Sequence, residues 1–365
     1  MRLHVDQRHE RVLELVRARG SLRVAELAAE LGVSAVTLRR DVETLAAQGK
    51  VQRMHGAVVW PGSTPADEPA AVPAADSFTI GMIVPTTKTI FADIVHGARA
   101  AVEAQGGRLV LGMSGYVDSE DAAQAQHLLA GGAEGLLVAP SWFGGVPAEG
   151  QEKWLLDCEV PTVLVERSAP PWNPAAELDR VRTDRTHGAA LAVSHLASLG
   201  HRSIAAVLQE GPHAEAISAG YRASVESLGL EAVPGSPAVR GAGLYDEPVE
   251  YLAGAVAQHG VTAALVHSDE DAIVLVPRLQ ARGISVPGDL ALVAYDDEVA
   301  ALADVPLTAI APPKRSVGEL AAKLLLQRLA ERRTGRVPAP RQHLELLPEL
   351  RVRASCGVDR NGTSA

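Results

Sequence analysis

Short continuous apolar runs of β type recur through most of this chain, at residues 78–84, 108–111, 135–139, 162–165, 203–208, 263–267 and 290–294. Alanine-rich stretches with helical spacing, such as 91–105 and 187–199, fall between them. A short run that is apolar throughout is a strand buried on both faces, and helices between such strands force parallel pairing with a helical layer on each face. The pattern predicts an α/β fold whose ligand sites lie outside the carboxyl ends of the strands.

The first sixty residues do not share this pattern. They carry ten Lys and Arg against seven Asp and Glu, a balance of +3, whereas the remainder holds 24 against 37, or −13. A polyanion partner is therefore expected only at the amino end. Between the two regions, residues 61–76 have prolines at 61, 65, 69 and 73 and no apolar period, which predicts an extended linker. The charged start, Met1-Arg2-Leu3-His4, and the lack of any run of about 18 apolar residues point to a cytoplasmic protein with no membrane partner. Cys158 and Cys356 are too far apart for a disulfide framework or a metal knuckle, so neither a metal nor another cofactor is expected.

Within residues 9–19, Val12, Leu15, Val16 and Arg19 set a short amphipathic helix that Gly20 closes. Val24, Leu27, Ala28 and Leu31 set a second, ended by Gly32, with Arg23 where a capping Ser or Thr would help. Ser34 can cap a third helix, with Leu38, Val42 and Leu45 facing inward and Val36, Thr37, Arg40 and Thr44 on the opposite face. Two helices joined by a short glycine-containing turn form a helix-turn-helix, and the run from Lys50 to Val59 around His55-Gly56 adds a basic wing. An Arg39-Arg40 pair alone would be a solvated helix face; the cap, turn, basic helix and wing in register make DNA the better reading.

The string VSAVTLRRDVETLAAQGKVQRMHGA resembles the DeoR-type winged-helix regulators, and the match covers most of residues 5–60. It departs at Ala57, where that family has a second glycine. The resemblance implies recognition positions at Ser34, Thr37, Arg39 and Arg40, with the wing at Arg53 and His55. Thr37 and Arg40 are then expected to read bases, and Ser34, Lys50, Arg53 and His55 to touch phosphate.

From residue 78 to 355 the chain resembles the LacI-type, periplasmic-binding-protein-like effector domains. The matching strings include Val165-Glu166-Arg167, Thr183-Asp184, Leu199-Gly200-His201-Arg202, Gly220-Tyr221, Ser268-Asp269, Tyr295-Asp296-Asp297 and Pro306-Leu307-Thr308. This implies two Rossmann-like lobes joined by three crossings, with an effector held in the cleft and closure coupled to the DNA-binding end. The expected organisation is a winged helix-turn-helix at 1–60, a linker at 61–76, an effector domain at 77–355 and a tail at 356–365. Lobe one is placed at 78–182 and 311–336, and lobe two at 184–310 and 340–355.

The resemblance carries candidate effector contacts onto Phe91, Ser141, Trp142, Asp184, Tyr245 and Asp269. All but Ser141 have a structural alternative: core for Phe91, cleft rim for Trp142, a hinge bond for Asp184, surface for Tyr245, and a helix cap for Asp269. Asp296 and Asp297 read as turn residues and Arg353 as structural. Counting back from Gly220-Tyr221, Ile217 stands where sugar-binding members carry an effector-gripping arginine. A ligand would then present an apolar face to Ile217, or a donor such as His213 or Arg222 would substitute.

The expected function is a ligand-responsive transcription regulator, a repressor of an operon for a sugar or other small metabolite. Its partners are operator DNA with an inverted repeat, a small polar metabolite and a second copy in a homodimer. The alternatives are a DNA-binding protein with no effector and an α/β enzyme. For the enzyme, no Gly-x-Ser-x-Gly elbow, Walker loop or His-Glu-x-x-His occurs, and no catalytic residue is assigned.

Overall fold

The computed structural model describes residues 5–19, 21–23, 27–28, 30–31, 33, 35–47, 50–54, 57–59, 78–87, 90–241, 243 and 245–357. Two units divide the chain, Met1–Asp76 and Ser77–Ala365. The expected linker at 61–76 lies outside the described residues, as do Ser34, His55 and the last part of the tail.

In the first unit, helix α1 (Val5–Arg19) leads into strand β1 (Ser21–Arg23), and helix α2 (Ala35–Ala47) precedes strands β2 (Gln52–Met54) and β3 (Ala57–Val59). The strands form one antiparallel sheet in the order β1-β3-β2. Arg23 pairs with Ala57 as the last residue of β1, so the ladder fixes its backbone where the sequence suggested an uncapped helix start. Val12, Leu15, Val16, Leu27, Leu38, Val42 and Leu45 make the core, joined by Val51 and Val58. Asp41 ties α2 to α1: Arg8 Nε donates to its Oδ2 at 2.5 Å, Arg8 Nη2 to its Oδ1 at 3.0 Å, and His9 Nε2 lies 3.2 Å away.

The second unit begins with β4 (Thr79–Val84), α3 (Ile90–Glu103), β5 (Arg108–Met113), α4 (Asp118–Ala130), β6 (Gly135–Val138), α5 (Lys153–Leu156), β7 (Thr162–Val165) and β8 (Asp179–Thr183). The chain then continues through α6 (Arg185–Ser198), β9 (Ile204–Gln209), α7 (Ala214–Ser227), β10 (Ala238–Arg240), α8 (Asp246–His259), β11 (Ala263–His267), α9 (Asp269–Gln280), β12 (Ala291–Tyr295) and β13 (Thr308–Ala311). It ends with α10 (Lys314–Thr334), β14 (His343–Leu346) and β15 (Glu349–Arg351).

One six-stranded sheet runs β14-β8-β7-β6-β4-β5 with every pairing parallel. The other runs β10-β9-β11-β12-β13-β15, parallel except where β15 meets β13. The chain therefore crosses between lobes three times: after β8, after β13, and between β14 and β15. The carboxyl-terminal segment 340–355, expected wholly in lobe two, is split. His343–Leu346 pairs with Arg180–Thr183 in lobe one, and only Glu349–Arg351 reaches lobe two. Its alternating exposed and half-buried residues suit an edge strand, which either sheet accepts.

Helices α3 and α10 cover one face of the first sheet at close range. A Cβ on Gly97 would lie 2.0 Å from the Arg315 carbonyl oxygen, and one on Gly318 would lie 1.9 Å from that of Ile94, so only glycine permits this approach. Ile80, Met82, Ile94, Val317 and Leu325 fill the space between. Burying each such side chain stabilises the lobe by about 1.5–3 kcal/mol relative to leaving it in water. No helix among the described residues is long and apolar enough to cross a membrane.

Candidate functional site

The face of α2 opposite its buried Leu38, Val42 and Leu45 exposes Thr37, Arg40 and Thr44. Thr44 Oγ1 donates back to the Arg40 carbonyl at 3.0 Å, which leaves the Arg40 side chain projecting from an intact turn. Lys50 is exposed just ahead of β2, and Arg53 lies in β2 opposite Val58. Arg39 is in α2; its side chain, that of Arg53, and all of Ser34 and His55 lie outside the described residues.

In the second unit, the carboxyl ends of both sheets face a shared cleft, as parallel sheets dictate. A cavity of about 310 Å³ lies there. Lobe one contributes Ile90, Tyr116 and Phe143, from the segments after β4, β5 and β6. Lobe two contributes the Gln209–His213 loop after β9, residues 267–270 at the end of β11, and Asp296 and Glu298 after β12. At the rim the lobes touch: Gly145 adopts φ +75°, and a Cβ there would meet the Pro212 carbonyl oxygen at 2.2 Å. Two aromatic rings thus face a wall of carboxylates and imidazoles, a combination suited to a small ligand with polar edges.

A buried ionic cluster forms the cleft floor. Arg185 Nη1 donates to Asp296 Oδ1 at 2.8 Å, its Nη2 lies 3.7 Å from Glu166 Oε2, and its guanidinium stacks 5.5 Å from the Tyr295 ring. Glu166 Oε1 accepts from the Thr183 hydroxyl at 2.7 Å. His267 Nε2 lies 3.4 Å from Asp296 Oδ2, and its buried Nδ1 has no partner. Burial alone would raise the Asp296 carboxyl, but Arg185 and His267 outweigh it and hold the group far below the usual carboxylate range. Burial, followed by the Arg185 and Arg167 charges, pushes the His213 imidazole well down, so it is neutral at pH 7.

A second cavity, of about 220 Å³, adjoins the first across His213 and is lined by Arg167, Arg182, Arg185, Thr183, Asp184 and Glu345 among others. Arg167 is 1% exposed; its Nε donates to the Pro140 carbonyl and its Nη1 to the Glu166 carbonyl, both at 2.9 Å. Its Nη2 has no partner.

The residues singled out from sequence scatter across this frame. Asp269 lines the main cavity, but its carboxylate is engaged: Oδ2 accepts from Val299 and Ala300 N–H at 2.7 and 2.9 Å, and Oδ1 from Glu270 N–H at 3.1 Å. It fixes the loop after β12. Asp184 lines the side cavity and caps α6 through the His187 N–H at 2.9 Å. Tyr245 precedes α8, half-buried, with Arg278 5.2 Å from its ring. Phe91 is in the lobe-one core with Arg167 6.0 Å from its ring, so it supports that guanidinium and lines neither cavity. Ser141 and Trp142 are likewise buried outside both; Ser141 Oγ and N–H donate to Asp121 at 3.1 and 2.6 Å. Ile217 is fully buried among Ala189, Leu208 and Tyr221, which removes the expected apolar contact with ligand. Of the two substitute donors, His213 is in the cleft and Arg222 is exposed.

Tyr116, Phe143, Arg167, Arg185, His267 and the cleft role of Asp296 were not anticipated. All follow a strand's carboxyl end or close it, so tracing each predicted strand to its last residue was the available signal. Asp296 is indeed in a turn, with φ +89°, and serves the cluster from there.

A winged helix-turn-helix on the same chain as a two-lobed cleft domain defines a DNA-binding regulator with an effector domain. Residues 8–64 match the DeoR-like helix-turn-helix domain model, and residues 193–356 match the periplasmic binding protein-like domain model. The chain is 26% identical to an arabinose metabolism transcriptional repressor of Geobacillus stearothermophilus, over 90% of this chain and 89% of that one. It is also 26% identical to the HTH-type transcriptional regulator MalR of Streptomyces coelicolor, over 91% of this chain and 96% of that protein. The crystal structure of transcription regulator GntR from Chromobacterium violaceum superposes with a TM-score of 0.63 at 25% identity, over 76% of this chain and 99% of that one. The chain is thus a transcription regulator that joins a DeoR-like helix-turn-helix domain to a periplasmic-binding-protein-like domain.

Proposed function

We propose that this protein is a cytoplasmic repressor whose DNA affinity is set by a small polar metabolite bound in the cleft. The observation that carries the reading is the cavity between the two lobes, lined by Tyr116 and Phe143 on one side and His213, His267 and Asp296 on the other. Asp269 and Asp184 shape this site through the backbone bonds they accept, and Tyr245 stands behind it. The name of one relative, the arabinose metabolism repressor, points to sugar metabolism in its own organism, which supports a hydroxylated effector here. The cleft is a binding site in this reading, with no catalytic role assigned.

On the DNA side, Thr37 and Arg40 read base edges, Arg39 is a further recognition position beside them, and Ser34, Lys50, Arg53 and His55 contact the backbone. A single module of this size buries little DNA surface, so a homodimer reading an inverted repeat follows. Selection of bound fragments from random duplex DNA tests the reading. An enriched inverted repeat is expected; enrichment of no sequence would contradict it.

A further inference from the structure

Arg167 is a buried guanidinium for which the fold supplies no counter-ion. Among the described residues no carboxylate lies within ion-pairing distance of it, and its Nη2 is one of the buried polar atoms without a partner. The neighbouring acids are committed elsewhere. Asp296 and Glu166 face Arg185 at 2.8 and 3.7 Å, and Glu345 takes Arg182 at 2.6 Å. Phe91 beneath it adds a ring contact at 6.0 Å, which supports the cation without neutralising it.

A charge taken out of water is costly unless it is paired, so an unpaired buried cation at the edge of a ligand cavity implies that the ligand pairs it. A neutral hydroxyl would satisfy the Nη2 hydrogen bond but leave the charge uncompensated. A carboxylate or phosphate does both, and its geometry matches the guanidinium fork. One shift agrees with a positive potential here: burial, followed by the Arg185 and Arg167 charges, depresses His213, which lines both cavities.

We propose that the effector is anionic, and that its carboxylate or phosphate lodges in the side cavity against Arg167 while the rest of the molecule occupies the main cavity. This rests on the cleft being the effector site. The effector then belongs to the sugar acids or sugar phosphates more than to the free sugars.

The full chain is titrated calorimetrically and by thermal melting with sodium phosphate and with sodium acetate, against sodium chloride at matched ionic strength. Glucose, gluconate and glucose 6-phosphate follow, on the native protein and on Arg167→Met and Arg167→Lys. Saturable stabilisation of the native protein by phosphate or acetate is expected, and the arm that gives it identifies the anion class. Arg167→Met should weaken that binding about ten-fold or more, and Arg167→Lys, which keeps the charge, by less. Any phosphate bound by the DNA reader persists in Arg167→Met and is told apart in this way. If Arg167→Met does not fold, the native titrations and Arg167→Lys decide. No saturable anion binding, or equal binding by native protein and Arg167→Met, overturns the proposal. A neutral sugar that binds native and Arg167→Met alike removes the anion and leaves the cleft as the effector site.

Discussion

Asp179, at the start of β8 and wholly buried, accepts from Arg328 Nε at 2.7 Å and Nη2 at 2.9 Å, and from the Gln342 N–H at 2.7 Å. The bonds join β8, α10 and the approach to β14, three pieces distant in sequence. Burial would raise this carboxyl, but the Arg328 bonds prevail and hold it below its ordinary value. Its contribution is therefore fully present above the unfolded value of about 3.9, and is lost as pH falls through the lower folded value. Asp179→Asn breaks a buried pair from one side and should cost about 3–5 kcal/mol in urea unfolding at pH 7. The cost should shrink as pH falls below about 4, where the carboxyl of the unfolded chain becomes protonated, and disappear as pH falls through the lower folded value. A cost below about 1 kcal/mol at pH 7, the range of exposed pairs, would mean that this bond does not hold the lobe.

At the scale of elements, α2 carries the DNA prediction. Its apolar stripe is buried, so the exposed Arg40 is free to be changed without disturbing the core. Arg40→Ala should cost about 1–3 kcal/mol of operator affinity and relax specificity at one base pair, measured by fluorescence anisotropy on single-base operator variants. Equal weakening on every sequence would assign Arg40 to phosphate. Native affinity should also fall steeply with salt, because phosphate contacts release condensed ions.

The elements also mark what the sequence made legible. Six of the seven apolar runs are strands whose burial on both faces leaves a continuous signal; the seventh, β5, is an apolar edge strand with mostly exposed and half-buried residues, and α1 and α2 are visible through their stripes. Strand β1 has only three residues, too few for a period, and exists through its pairing with Ala57–Val59. Strand β8 alternates buried and half-buried residues as Asp-Arg-Val-Arg-Thr, which reads as polar until Arg328 arrives from α10. For the site, the strand-end rule located the cleft but not the roles. Asp269 could be read as an acid after a strand; that it spends its oxygens on Val299 and Ala300 depends on a loop thirty residues away. Counting back from the matching string Gly220-Tyr221 places Ile217 at a ligand position, yet its side chain is buried in the core among Leu208 and Tyr221.

For the molecule as a whole, three crossings and a rim contact at Gly145 and Pro212 give the effector unit two lobes able to close on a ligand. The native protein should be a dimer by light scattering at micromolar concentration; a monomer with and without DNA would contradict the paired half-sites. The central claim is that occupancy of the cleft changes operator binding. Anisotropy titration of the selected operator, with and without saturating effector, tests it most directly. The account predicts that the dissociation constant shifts by about 5–150-fold, the range of ordinary coupling between two sites. Identical constants for the free and the effector-saturated protein would contradict it.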